Sequence, residues 1–139
     1  MAEIVVDTSI VVKWYIPEQH HETARALRDD YLDGQIELIA PALMPFEAIN
    51  ALKYSGLFNE EQLEEVALSL SEYGIEFIPF SEIGAIAEIA TDLDITVYDA
   101  TYIALAQKLD TTVYTADQTL LEDLDEEYSP LGKHIRTYP

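Results

Sequence analysis

Short runs of β-branched and other apolar residues alternate with longer segments of helical periodicity along this 139-residue sequence. Such alternation is typical of an α/β domain with a mostly parallel central sheet. Residues 4–6 are apolar without a polar alternation, as expected of a strand that is buried on both faces. The sequence therefore predicts one domain over residues 1–139, with a three-layer α/β/α fold. The predicted strands cover residues 4–6, 36–40, 76–79 and 112–115, with an edge strand within 133–138.

The segments between these strands contain signals that mark the starts of helices. Pro45 suits the first position of a helix, and Asn59 with Gln62 resembles a capping box. Ser81 is predicted to cap the next helix. The predicted helices cover residues 8–15, 18–32, 45–54, 59–73, 81–93, 99–109 and 117–124.

The composition excludes several classes of protein. Asp and Glu outnumber Lys and Arg by 27 to 7, which gives a formal charge of -20, but a mean hydropathy of +0.01 excludes intrinsic disorder. The absence of cysteine excludes disulfides and thiolate sites. No apolar run approaches the ~20 residues that span a bilayer, and the first residues lack a basic signal-peptide region. We therefore expect a cytoplasmic protein without a membrane segment.

Four acidic residues stand where a ligand site is expected. Asp7 follows the first strand, Asp117 follows the strand at 112–115, and Asp99 and Glu47 lie at the starts of two helices. Ligands of open α/β sheets bind at the carboxyl ends of the strands. The alternative for the three aspartates is a helix N-cap, and for Glu47 it is a position facing solvent.

Carboxylates that converge in one cleft repel one another, and their pKa values rise unless a cation neutralises them. Mg²⁺ and Mn²⁺ prefer oxygen ligands. Such an ion can activate water and stabilise charge on a phosphoryl oxygen. Hydrolysis of a phosphoester is therefore the expected chemistry.

Four sequence motifs resemble the PIN domain family, in the order and spacing found in VapC-type toxins. They are VVDTS at residues 5–9, PFEAINAL at 45–52, YDATYIALA at 98–106 and YTADQTL at 114–120. The resemblance extends from about residue 4 to residue 121. It implies a PIN-like fold and an endoribonuclease that depends on Mg²⁺ or Mn²⁺.

The resemblance also implies roles for individual residues and partners. Asp7, Glu47, Asp99 and Asp117 match the acids that surround the metal ions in the family. Ser9 and Thr115, and also Thr8, match hydroxyl residues that support those acids by hydrogen bonding. In the family, the helix pair around Glu47 and residues 59–73 often serves dimerisation. Many relatives are neutralised by a small antitoxin, so the expected partners are an RNA substrate, an antitoxin and a second copy of the chain.

Basic and aromatic residues near the first motif are further candidates for RNA contacts. Lys13, Arg25 and Arg28 are predicted to contact phosphate, with solvated surface charge as the alternative. Trp14 and Tyr15 are predicted to lie in the core rather than to stack on bases. No metal is assigned to the three histidines, which are His20, His21 and His134.

The net charge opposes RNA binding, because an acidic surface repels a phosphate backbone. One hypothesis is a high-salt cytoplasm, in which charges are screened over about 3 Å at 1 M salt. The other is a basic partner such as an antitoxin.

Three other functions compete with a metal-dependent ribonuclease. An aspartyl-phosphate enzyme of the haloacid dehalogenase kind needs a second Asp two residues after the first, where Ser9 stands. Glycine-rich nucleotide-binding motifs are absent from the sequence. The remaining alternative is a PIN-like binding or assembly module with little or no catalytic activity.

Overall fold

The computed structural model describes residues 2–139; residue 1, the first of the predicted domain, lies outside the described residues. Five parallel strands form one sheet in the order β3-β2-β1-β4-β5. Helices cover the sheet in a three-layer α/β/α fold, as the sequence predicts. The strands are β1 (Ala2–Val6), β2 (Ile36–Pro41), β3 (Glu76–Ile78), β4 (Thr112–Thr115) and β5 (Gly132–His134). The predicted edge strand is therefore confirmed, although it begins at Gly132 and ends at His134.

The topology places a crevice beside the carboxyl end of β1. Val5 of β1 pairs with Ile39 of β2 on one side and with Val113 of β4 on the other. After β1 the chain forms β2 and β3 on one side of β1, and it later forms β4 and β5 on the other side. Ligands of such sheets bind where the strand order reverses. In this fold that point lies between the ends of β1 and β4.

Seven α-helices connect the strands within the described part of the chain. The helix α6 contacts β1, β2 and β4, and its seven residues from Ala100 to Ala106 are all buried. It is therefore a core helix, with only its ends near solvent. The helices are α1 (Thr8–Val12), α2 (His21–Leu32), α3 (Met44–Tyr54), α4 (Glu60–Glu72), α5 (Ile86–Leu93), α6 (Val97–Lys108) and α7 (Gln118–Asp123).

Local backbone geometry explains where predicted helix boundaries differ from the observed ones. His20 has a left-handed φ of 67°, so α2 begins at His21 rather than at residue 18. The prediction that Ser81 caps a helix is wrong. Ser81 lies in a short 3-10 turn, Phe80–Glu82, and Gly84 has a φ of 105° that a right-handed helix does not accommodate. Consequently α5 starts only at Ile86.

Two further cap predictions have opposite outcomes. The capping box is confirmed, because the Asn59 side chain accepts from the Gln62 N–H and the Gln62 side chain accepts from the Asn59 N–H. The helix predicted from about residue 99 is confirmed and begins at Val97, but the alternative role of Asp99 as its N-cap is wrong. Thr96 caps α6, and its Oγ1 accepts a hydrogen bond from the Asp99 N–H at 3.0 Å.

No helix in residues 2–139 is long and apolar enough to cross a membrane.

Candidate active site

All four predicted acids line one cleft of about 450 Å³. They come from four segments that are distant in sequence: the end of β1, the first turn of α3, the first turn of α6 and the start of α7. The cleft lies in the crevice between β1 and β4. Its lining residues are Asp7, Thr8, Ser9, Val12, Lys13, Glu18, Glu47, Ala51, Asp99, Ala116 and Asp117.

Asp7 is the most buried of these acids, with 8% of its surface exposed. Its Oδ2 accepts hydrogen bonds from Thr115 Oγ1 at 2.6 Å and from Ser9 Oγ at 2.9 Å. Burial raises the pKa of Asp7 from 3.8 to about 6, against the lowering effect of these two bonds. The Asp7 side chain accepts no bond from a backbone N–H of the helix that follows, so its carboxylate does not serve as the predicted alternative, an N-cap.

The same two hydroxyls join the loop after β4 to the loop after β1. Thr115 Oγ1 accepts from the Asp117 N–H at 3.0 Å, and Ser9 Oγ accepts from the Ala116 N–H at 2.9 Å. Each hydroxyl therefore donates to Asp7 and accepts from a backbone N–H of the loop after β4. This arrangement fixes the backbone of Asp117 relative to the carboxylate of Asp7.

Asp117 and Asp99 occupy the outer part of the cleft. Asp117 caps α7, because its Oδ1 accepts from the Leu120 N–H at 3.1 Å. The predicted alternative, a helix N-cap, therefore holds for Oδ1 of Asp117. Its Oδ2 accepts no hydrogen bond from the described residues. Partial burial, followed by the negative charge of Asp117, raises the pKa of Asp99. The carboxylate of Asp117 is thus close enough to oppose the ionisation of Asp99.

Glu47 is held by a buried tyrosine that sequence analysis did not single out. Tyr102 Oη donates to Glu47 Oε1 at 2.7 Å, and Thr8 Oγ1 donates to the same oxygen at 3.0 Å. The pKa of Tyr102 is raised by burial, so its hydroxyl keeps its proton. Tyr102 lies three residues after Asp99, on the same side of α6. That spacing is the sequence signal that could have identified it.

The basic candidates separate into two groups. Lys13 is buried and lines the cleft, and its Nζ lies 3.4 Å from Glu18 Oε2. Arg25 and Arg28 are not among the residues that line the cleft, and Arg28 pairs with Asp29 at 3.2 Å. Their predicted contact with phosphate remains a prediction.

The aromatic residues next to the first motif, and two of the histidines, contact other parts of the protein rather than the cleft. Trp14 is buried, and its Nε1 donates to the Ala24 carbonyl at 2.9 Å, as expected of a core residue. The partly buried Tyr15 bonds to Ser69 through its hydroxyl at 2.8 Å. His20 and His134 contact each other edge to face and do not line the cleft.

The donor chemistry of the cleft fits a hard divalent cation. Asp7 Oδ1 and Glu47 Oε2 accept no hydrogen bond from any residue in 2–139, so each has lone pairs available. Neither carboxylate forms an ion pair with Lys, Arg or His in that part of the chain. Within the same residues, no three His, Asp or Glu side chains lie close enough together to enclose one ion. Oxygen donors are therefore available, but they do not form a closed cage.

Comparison with known proteins identifies relatives of the whole chain. Residues 4–127 match the family model of the PIN domain. The chain is 31% identical over 138 residues to Ribonuclease VapC3 of Pyrobaculum aerophilum, an alignment that covers 92% of this chain and 99% of that protein.

Two solved structures are similar in fold. The crystal structure of PAE2754 from Pyrobaculum aerophilum has a TM-score of 0.66 and 18% identity, and the match covers 98% of this chain and 91% of that one. The crystal structure of FitAcB from Neisseria gonorrhoeae has a TM-score of 0.59 and 21% identity, with 86% and 91% coverage. At these identities, the two structures support the fold alone.

Proposed function

This chain belongs to the PIN domain family, and we propose that it is an endoribonuclease that hydrolyses RNA in the cleft between Asp7, Glu47, Asp99 and Asp117. One observation carries the proposal: four acids from distant segments line the same crevice at the carboxyl edge of the sheet. A relative that aligns along nearly the whole chain is named a ribonuclease, which supports the same reaction.

We infer that Asp7, Glu47, Asp99 and Asp117 together hold Mg²⁺ or Mn²⁺. When bound, such an ion supplies a nucleophilic water and stabilises charge on the phosphoryl oxygen. Mg²⁺ in proteins usually keeps several waters and binds directly to one or two carboxylates. The four acids do not enclose one ion within the described residues, which agrees with a site in which only one or two of them would hold the ion directly.

The surrounding hydroxyls and Lys13 have supporting tasks in this proposal. Ser9 and Thr115 engage Oδ2 of Asp7, which leaves Oδ1 for the cation. Lys13 is the only basic side chain among the cleft-lining residues of the described chain. Its present partner, Glu18, is exposed, so a phosphate of the substrate can replace Glu18 beside Nζ.

We propose two protein partners, a second copy of the chain and a small antitoxin. Large apolar side chains on α3, on α4 and in the loop between them are exposed, and burial of that surface would favour a dimer. The net charge of -20 favours a basic segment of an antitoxin at the acidic cleft. The exposed apolar residues are Phe46, Tyr54, Leu57 and Leu68.

Cleavage of a mixed-sequence RNA by the pure protein tests the proposed reaction. We would compare Mn²⁺ with EDTA across a salt series, for the wild type and for Asp99→Asn. Asp33→Asn is the matched control, because Asp33 is exposed at the end of α2 and does not line the cleft. The proposal expects cleavage that requires the metal, that is lost in Asp99→Asn and that persists in the control.

Metal binding without RNA cleavage would replace this proposal with a second function. A folded wild-type protein that binds Mn²⁺ through these acids but cleaves no RNA at any salt concentration is a PIN-like binding module. The net charge of -20, which opposes binding of a phosphate backbone, is the observation that favours this second function.

A further inference from the structure

Tyr102 connects three elements of the fold at one point inside the molecule. It lies in the buried stretch of α6 and is 1% exposed. Its Oη lies 2.7 Å from Glu47 Oε1, in α3, and 2.7 Å from Thr8 Oγ1, at the start of α1. Thr8 Oγ1 is in turn 3.0 Å from Glu47 Oε1. Three oxygens from segments 39 to 94 residues apart in sequence thus form one hydrogen-bonded group.

The two hydroxyls act on one oxygen of Glu47 and leave the other available. Glu47 is half-buried at the wall of the cleft, where a glutamate side chain would otherwise have several rotatable bonds to order. Both hydroxyls bond to Oε1, whereas Oε2 accepts no hydrogen bond from residues 2–139. A hydrogen bond to a carboxylate is stronger than one between neutral groups. The pair of bonds therefore restricts how Glu47 presents Oε2 to the cleft.

A role in stability alone does not explain why the Tyr102 hydroxyl has this partner. A buried tyrosine needs some partner for its hydroxyl, and a backbone carbonyl is sufficient, as Tyr31 shows by donating to the carbonyl of Tyr73. Tyr102 instead bonds to an acid of the cleft that lies on another helix. Outer-shell groups of this kind commonly orient the carboxylates that bind metal ions.

We propose that Tyr102 is a positioning residue for the RNA hydrolysis proposed above: with Thr8, it holds Oε1 of Glu47 so that Oε2 faces the cleft. The inference rests on the proposed function, because it assigns Glu47 to the metal. It extends the site from the lining of the cleft to a buried residue of α6, which touches neither the cation nor the substrate.

The variant Tyr102→Phe removes the hydroxyl and keeps the ring that packs in the core. The expected result is Mn²⁺ affinity at least tenfold weaker, measured by calorimetry without RNA, with a similar loss in the rate of RNA cleavage. Tyr15→Phe is the control, because it also removes a hydroxyl that bonds to a side chain, but outside the cleft. The control should bind Mn²⁺ and cleave RNA within twofold of the wild type.

A double-mutant cycle separates positioning from a general effect on folding. In a Glu47→Ala background, Tyr102→Phe should cause no further loss of Mn²⁺ affinity, because its target is gone. A loss of the same size in both backgrounds would overturn the proposal, as would wild-type affinity in Tyr102→Phe. Thr8→Val, which removes the other hydroxyl, gives a second test if Tyr102→Phe does not fold, and it should weaken Mn²⁺ binding in the same direction.

The wild-type result distinguishes the two proposals. If the wild type neither binds Mn²⁺ nor cleaves RNA, the proposed function fails. If the wild type does both and Tyr102→Phe matches it, only the role of Tyr102 is wrong.

Discussion

Replacing Asp7 by Asn should make the metal-free protein more stable at neutral pH while abolishing RNA cleavage. Asp7 is buried, and burial raises its pKa from 3.8 to about 6. At pH 7.5 the folded protein must therefore keep a charge where water is largely excluded. Asn has nearly the same shape, and its amide oxygen can accept the bonds that Thr115 and Ser9 donate. The substitution removes the charge and retains most of the packing.

The magnitude follows from the two pKa values. Each pKa unit corresponds to about 1.4 kcal/mol, so ionised Asp7 lowers the free energy of unfolding by about 3 kcal/mol at pH 7.5. The folded state binds more protons than the unfolded state between pH 3.8 and about 6. This contribution therefore reduces stability as the pH rises through that window. At pH 5.0 the penalty falls to about 1.5 kcal/mol, and it vanishes below about pH 3.8.

Urea unfolding in EDTA at pH 7.5 and at pH 5.0 measures the effect. Both values lie above the isoelectric point of about 4.1, where loss of net charge would promote association. Asp7→Asn should exceed the wild type in stability at both pH values, and the difference should be about twofold larger at pH 7.5. Asp33→Asn, at an exposed position, should show no such difference.

Saturating Mn²⁺ should reverse the order, because the cation binds the folded wild type more tightly than the variant. The reasoning would be refuted if Asp7→Asn were less stable than the wild type at pH 7.5 in EDTA. It would also be refuted if the difference in stability did not depend on pH.

Three further predictions concern the pH, the salt and the helix caps. Mn²⁺ binding should weaken as the pH falls through about 6, since protonation of Asp7 competes with the cation, and calorimetry between pH 5 and 8 would show constant affinity if that were wrong. If the protein is adapted to high salt, its thermal midpoint should rise steeply from 0.05 to 1 M KCl in the absence of any partner, whereas a flat dependence would favour the basic-partner hypothesis. Thr96→Ala should lower the free energy of unfolding by about 1 kcal/mol, because it removes the cap of α6. Ser81→Ala should be nearly neutral, and equal effects in urea unfolding would contradict these cap assignments.

Much of the fold follows from local patterns in the sequence. The buried run at residues 4–6, the capping box at Asn59 and the strand at 112–115 are predicted close to where they occur. Local patterns fail where the backbone leaves the right-handed helical region for reasons that neighbouring residues do not reveal. The left-handed His20 and the positive φ of Gly84 are the two examples.

The sequence by itself determined the parallel sheet and the four acids, because residue types a few positions apart mark the ends of strands and the starts of helices. Its resemblance to the PIN domain family indicated the hydroxyls beside those acids. Only the tertiary structure decided what those groups do to one another. The burial of Asp7, the placement of Lys13 and the hold of Tyr102 on Glu47 depend on contacts between segments far apart in the chain. The physical reason is that desolvation and hydrogen bonding act through space at a few ångströms, whereas periodicity and capping act along the chain.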